Sequence, residues 1–167
     1  FQHYVDGSYQ VFVANTDGSG VTQVTHDQRN YVHLSISGDG SKIAVASYAD
    51  SYSNSDAYVI NSDGTGVTHL ISRPSLSEAP QISDDGSKVV VKAFVENYYG
   101  SSYKLFVVYS DGTGLTQLTN NTEYEHYPSI SGDGRKIAFL SNNDVFVINS
   151  DGTGLTQLTN TTAAVSS

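Results

Sequence analysis

The 167 residues, 38% of them hydrophobic, suffice for one buried core or for a run of repeats sharing one, and two independent domains would be cramped. Eight Lys and Arg against 17 Asp and Glu leave a formal charge of −9, which repels a phosphate backbone and argues against nucleic acid as a partner. No apolar run approaches the ~20 residues that cross a bilayer, so no membrane insertion is expected, and the absence of Cys removes disulfides and thiolate metal sites.

The chain starts at Phe1 and holds no Met, from which we expect that a leader was removed or that the chain is part of something longer. Abundant Ser, Thr, Asn, Gly and Tyr with little Lys point to an extracytoplasmic setting: periplasmic, secreted or cell-surface. Two glycine-bearing turns alternate along the sequence. Asn15-Thr-Asp17-Gly-Ser-Gly20 returns at Asn61, Tyr109 and Asn149, with its Asp at positions 17, 63, 111 and 151. Ser37-Gly-Asp39-Gly-Ser-Lys42 returns at Ser83 and Ser131, with its Asp at 39, 85 and 133. Asp-Gly between apolar runs predicts a hairpin, because Gly takes positive φ without a Cβ clash and Asp bonds its own backbone.

In chain order, residues 1–26 read as the end of a strand B, then strands C and D, with no strand A. Residues 27–72, 73–120 and 121–160 each read as four strands, seen best in the last unit as Pro128 to Ile130, Ile137 to Leu140, Val145 to Ile148 and Leu155 to Leu158. Val89-Val-Val91, Leu105-Phe-Val-Val108 and Val145-Phe-Val-Ile148 do not alternate apolar with polar, so both faces of each sheet should be covered. The D runs, such as Val21-Thr-Gln-Val24, are more polar, as an outer edge requires. The tail, 161–167, ends in Ala164-Val165-Ser166, which is similar to Ser129-Ile-Ser131 of a strand A and is expected to complete the first unit or a neighbouring chain. Three arrangements stay open: a closed four-bladed ring, two chains sharing a larger ring, or a filament joined by terminal strands.

"DVFVINSDGTGLTQLTN" alternating with "YPSISGDGRKIAFLSNN" resembles the repeat of the TolB-type, WD-repeat-like β-propellers. The resemblance covers the whole chain and implies an all-β propeller of about four four-stranded antiparallel blades. It implies an interaction scaffold with a protein or glycan partner, although the same repeat also occurs in peptidase and lyase propellers. Gly38, Asp84 and Gly132 stand where the family has Pro, and strand A lacks its usual Trp, changes expected to loosen the turn.

In such a meander the A–B and C–D turns share one end of the sheets, and the B–C and D–A connections share the other. The second end carries the dissimilar segments and most Tyr, so the binding candidates are Arg29, Tyr31, His33, Tyr48, Tyr52, Arg73, Glu78, Tyr98, Tyr99, Tyr124, Glu125, His126 and Tyr127. Glu78 and His126 occupy one repeat position, with His33 one residue further along, the place where a metal-dependent lyase or hydrolase would gather ligands; no third ligand matches, and no metal site is expected. No catalytic residues are assigned, since no Gly-x-Ser-x-Gly elbow is present. No cofactor is expected; calcium is the one ion whose loop the Asn-x-Asp-Gly-Thr-Gly turns resemble, and they lack the downstream Glu. Asn120 and Asn160 head glycosylation sequons.

Overall fold

Short β-branched and aromatic runs separated by Asp-Gly turns pair into four antiparallel meanders in the computed structural model, which describes residues 1–48, 55–73, 79–97, 100–121 and 123–161. The first sheet has three strands: β1 (Gln2–Val5), β2 (Ser8–Val13) and β3 (Thr22–Gln23). The second joins β4 (Asn30–Ile36), β5 (Lys42–Tyr48), β6 (Ser55–Asn61) and β7 (Thr68–Arg73). The third joins β8 (Gln81–Ile82), β9 (Lys88–Asn97), β10 (Gly100–Tyr109) and β11 (Thr116–Gln117). The fourth joins β12 (Glu125–Ile130), β13 (Lys136–Ser141), β14 (Asp144–Asn149) and β15 (Thr156–Gln157). Among the described residues no helix is long and apolar enough to cross a membrane.

The unalternating runs of β9 and β10 are covered on both faces, whereas that of β14 is packed against a neighbouring sheet on one face only among the described residues. Ala44, Ala46, Ala57 and Val59 of the second sheet pack on Val89, Val91, Phe106 and Val108 of the third. The other face of the second sheet, Ile43, Val45, Tyr58 and Ile60, takes Val11 and Val24 of the first. Val90, Leu105, Val107 and Leu118 of the third meet Ile137, Phe139 and Ile148 of the fourth. Small alanines on one partner and larger side chains on the other let the layers interdigitate. Among the described residues no strand of the first sheet makes a substantial contact with the fourth. Ala164, Val165 and Ser166 lie outside the described residues.

The outer strands show how one side chain sets strand length. Three of them, β3, β11 and β15, pair over only two residues. Just beyond each, a threonine hydroxyl replaces the ladder: the backbone N–H of Val11, Leu105 and Val145 donates to Oγ1 of Thr25, Thr119 and Thr159 at 2.9, 3.0 and 2.8 Å. Ile71 holds that repeat position in the second sheet and has no hydroxyl to offer. There the strand shifts register between Ala57 and Tyr58 and runs on in β7 to Arg73.

The A–B and C–D turns lie at one end, as the backbone bonds Ser62 N–H to Ser41, Ser110 N–H to Ser87 and Ser150 N–H to Arg135 require. The substitutions at 38, 84 and 132 do not loosen these turns; they fasten them sheet to sheet. Gly38 N–H donates to the Asp84 carbonyl and Asp85 N–H to the Gly132 carbonyl, each at 2.9 Å. A Cβ on Gly38 would come within 2.8 Å of Asp84 Cβ and 3.2 Å of its carbonyl oxygen, so the close approach needs glycine there, while one on Gly132 would meet only the end of the Asp84 side chain, Oδ2, at 2.6 Å. Lysine adds a second fastening: Lys42 Nζ donates to the Gly86 carbonyl and Ser110 Oγ, and Lys88 Nζ to Ser150 Oγ at 2.6 Å.

Candidate functional site

The opposite end of the sheets is irregular, and its geometry starts with one repeat position of strand C. Gln10, Asp56, Lys104 and Asp144 share one repeat position, seven residues before the Asp of the C–D turn. Each ties together the segment that leaves strand D. Gln10 Nε2 donates to the carbonyls of Asp27 and Arg29, and its Oε1 accepts from Thr25. Asp144 accepts from the Thr161 N–H, Thr159 and Gln157, and those bonds, the Thr161 N–H foremost, hold its carboxyl below the usual range. Lys104 Nζ donates to Asn121 Oδ1, the Glu123 carbonyl and Glu125 Oε2.

Asp56 gathers a more provocative set. Its carboxylate meets Ser72 Oγ and lies 3.3 Å from His69 Nε2, while Ser72 Oγ lies 3.0 Å from that same nitrogen and Tyr58 donates to Asp56 Oδ2. Burial pushes the Asp56 carboxyl up, but the bonds from Ser72, His69 and Tyr58 outweigh it and leave it below the ordinary value. These are the residue types of a nucleophilic triad, yet the wiring is wrong for one. Serine and aspartate crowd the same imidazole nitrogen, so the ring cannot take the serine proton at one nitrogen while the carboxylate orients the other. Sequence reasoning missed this cluster because no elbow motif marks it.

The candidate residues distribute unevenly. Tyr31 and Glu125 belong to strands β4 and β12, not to loops, and both are buried: Tyr31 packs in the core beneath the first sheet and donates to Asp27 Oδ2, and Glu125 is spent on Lys104. Neither side chain lies on the exposed face. Arg29 pairs with Asp27 at 3.2 Å and sits over the Tyr58 ring, 5.3 Å from its centroid. Tyr48 ends β5 and is half-buried. Arg73 ends β7, and Tyr52, Glu78, Tyr98 and Tyr99 lie outside the described residues.

The structure brings the His126 and Tyr127 rings together and leaves Tyr124, next to them in the sequence, exposed. Tyr124 is 53% and Tyr127 72% exposed, and the His126 and Tyr127 rings lie 6.0 Å apart. Lys92, buried in the third sheet, reaches His126 Nδ1 at 3.1 Å and lies over the Tyr103 ring. Tyr127 has φ +52° and His33, at the equivalent position of the second sheet, φ +55°. Each is the extra residue of a bulge, between His126 and Ser129 in β12 and between Val32 and Leu34 in β4. A bulky side chain in the left-handed region is costly and is held there by its surroundings. In these two sheets the bulge residue, His33 or Tyr127, is exposed. Among the described residues no group of three His, Asp or Glu is placed to hold a metal ion.

The comparisons agree on the architecture. TolB from Acinetobacter baumannii superposes with a TM-score of 0.68 at 17% identity, over 92% of this chain and 38% of its own. A putative TolB from Agrobacterium tumefaciens gives 0.67 at 19% identity, over 95% and 59%. Oligogalacturonate lyase from Vibrio parahaemolyticus gives 0.66 at 13% identity, over 92% and 47%. The chain thus spans between 38% and 59% of the length of these three proteins, and at such identities the likeness shows the fold alone. No curated protein matched in the sequence comparison. A family profile described as the TolB beta propeller domain matches residues 1–166, and the chain belongs to that family of β-propellers.

Proposed function

We propose that the chain is a binding scaffold, not an enzyme, and that it works outside the cytoplasm, where the irregular end of its sheets holds a protein partner. The supporting observation is the outward Tyr127, kept at positive φ and 72% exposed beside Tyr124 and His126. The bulge holds a rigid, amphipathic ring at the surface, and such a ring is an efficient contact for another protein. The opposite end, by contrast, is committed to turn-to-turn bonds between sheets. The composition that favours export supports the location. The Asp56, His69 and Ser72 cluster gives catalysis no wiring to use.

The test compares capture of envelope proteins by the wild-type chain and by a Tyr124→Ala/Tyr127→Ala variant, with a glycan array as a second arm. Loss of a specific protein partner in the variant is the expected result. Equal capture by both proteins rejects this face, and a glycan bound in a Tyr-dependent way replaces the protein partner. Since both rings are largely exposed, the variant should fold as the wild type does.

A further inference from the structure

The joints between successive sheets follow one pattern, and its two unused halves lie at opposite ends of the molecule. In the joint of the third sheet with the fourth, Val90, Leu105, Val107 and Leu118 receive Phe139, Phe146 and Ile148. Phe139 stacks on Phe146 at 5.7 Å and 18°. Lys88 reaches across to Ser150.

Among the described residues the same surfaces recur with no neighbouring sheet packed on them. One repeat beyond Leu105, Val107 and Leu118 stand Val145, Val147 and Leu158, and one beyond Val90 stands Ala138. Strand alternation turns these four away from the third sheet, and Leu158 is 59% exposed. At the other end of the molecule, Phe12 holds the repeat position of Phe146, and Phe1 stacks on it at 5.6 Å and 18°, with 57% of Phe1 exposed. The first sheet therefore presents the aromatic pair with which the fourth packs on the third. The polar fastening is likewise divided. Lys136, the counterpart of Lys88, turns back to Asn149 Oδ1 of its own sheet, while Thr16, the counterpart of Ser150, keeps an exposed hydroxyl.

We infer that the outer face of the fourth sheet docks the first sheet of a second copy of this chain, reproducing the joint between the third sheet and the fourth. Val145, Val147 and Leu158 of one copy receive Phe1 and Phe12 of the next, and Lys136 swings to Thr16. The contact is head-to-tail, so it gives a ring if the rotation closes and a filament if it does not. Two copies would bring eight sheets together, inside the range of about 4–8 blades that propellers use. It is independent of the loop-end reading, and it joins faces of sheets, so residues 162–167 are dispensable.

Sedimentation of the whole chain over a wide dilution series tests it. The wild type should form dimers or larger species, and Leu158→Asp and Phe1→Asp should each be monomeric. Both positions are exposed, so circular dichroism and thermal unfolding should stay unchanged. An equimolar mixture of the two variants should give a one-to-one complex and nothing larger, because each retains the half that the other lacks. Deleting residues 162–167 should leave association intact. A wild type that is monomeric at every concentration overturns the proposal, and then other segments of a longer polypeptide cover these faces. Association that survives both substitutions, or that vanishes with the tail, overturns it as well, the second in favour of strand exchange.

Discussion

Lys104 and Glu125 meet in the interior with Nζ and Oε2 3.1 Å apart, and Glu125 Oε1 has no hydrogen-bond partner among the described residues. Burial raises the Glu125 carboxyl above its ordinary pKa, with Lys104 opposing the shift. The pair therefore fixes the joint between the third and fourth sheets more than it stabilises the fold. Lys104→Met strands the carboxylate and should cost about 3–5 kcal/mol in urea unfolding, whereas Lys104→Met/Glu125→Leu should come back close to wild type. Asp39 behaves in the opposite sense. The Ser37 hydroxyl, then Ser41, hold its carboxyl down at about 2. A depressed folded pKa stabilises above the unfolded value, about 3.9 for aspartate, and that contribution disappears as pH falls through the folded one. Comparing urea midpoints of wild type and Asp39→Ala along a pH series should show a difference that is full at neutral pH and fades between the ordinary aspartate range and about 2. A difference that stays constant down to that acidity would show that the carboxylate charge has no part in the turn.

The outer strand depends on one hydroxyl per sheet. Thr119→Val keeps the shape but leaves the buried Leu105 N–H without its acceptor, and unfolding should become easier by about 1–3 kcal/mol. The reciprocal Ile71→Thr in the second sheet should cost less, since β7 already pairs through Arg73. Gly38→Ala drives a Cβ against Asp84 at 2.8 Å and should destabilise the inner turns by about 1–3 kcal/mol. Both effects are measurable by equilibrium denaturation. These elements are largely legible in the sequence, because Asp-Gly flanked by apolar runs admits few alternatives and recurs at 17, 63, 111 and 151. The site was less so. Tyr31 and Glu125 sit in segments that differ between repeats, which is how a loop reads in sequence. Strand A in fact begins earlier, at Asn30 and Glu125, and is carried past its bulge by His33 and Tyr127. A bulge leaves no composition signal when its residue is neither Gly nor Asn, so burial at 31 and 125 could not be read from alternation. The bonds around Asp84 were hidden for a related reason: glycine there serves contact between repeats, and a single repeat does not show it.

Each sheet can hide its apolar faces only against neighbours, so stability is a sum over joints, and the position of a sheet in the row decides how well its backbone is protected. The second and third sheets are covered on both faces, with Val45, Ala57, Val89 and Val90 wholly buried. Among the described residues the first and fourth each leave one face open, at Phe1 and at Leu158. Amide exchange in dilute solution should therefore be slowest at the paired amides of β5, β6, β9 and β10. It should be faster through β1, β2, β14 and β15, whose local opening breaks one joint instead of two. Raising the protein concentration should slow exchange in the first and fourth sheets selectively, since docking of a second copy supplies the joint that each lacks, and should leave the middle pair unchanged. Uniform protection across all four sheets in the dilute chain would mean that the row unfolds as one cooperative block. The joints would then not be independent, and the terminal sheets would draw their stability from within the chain.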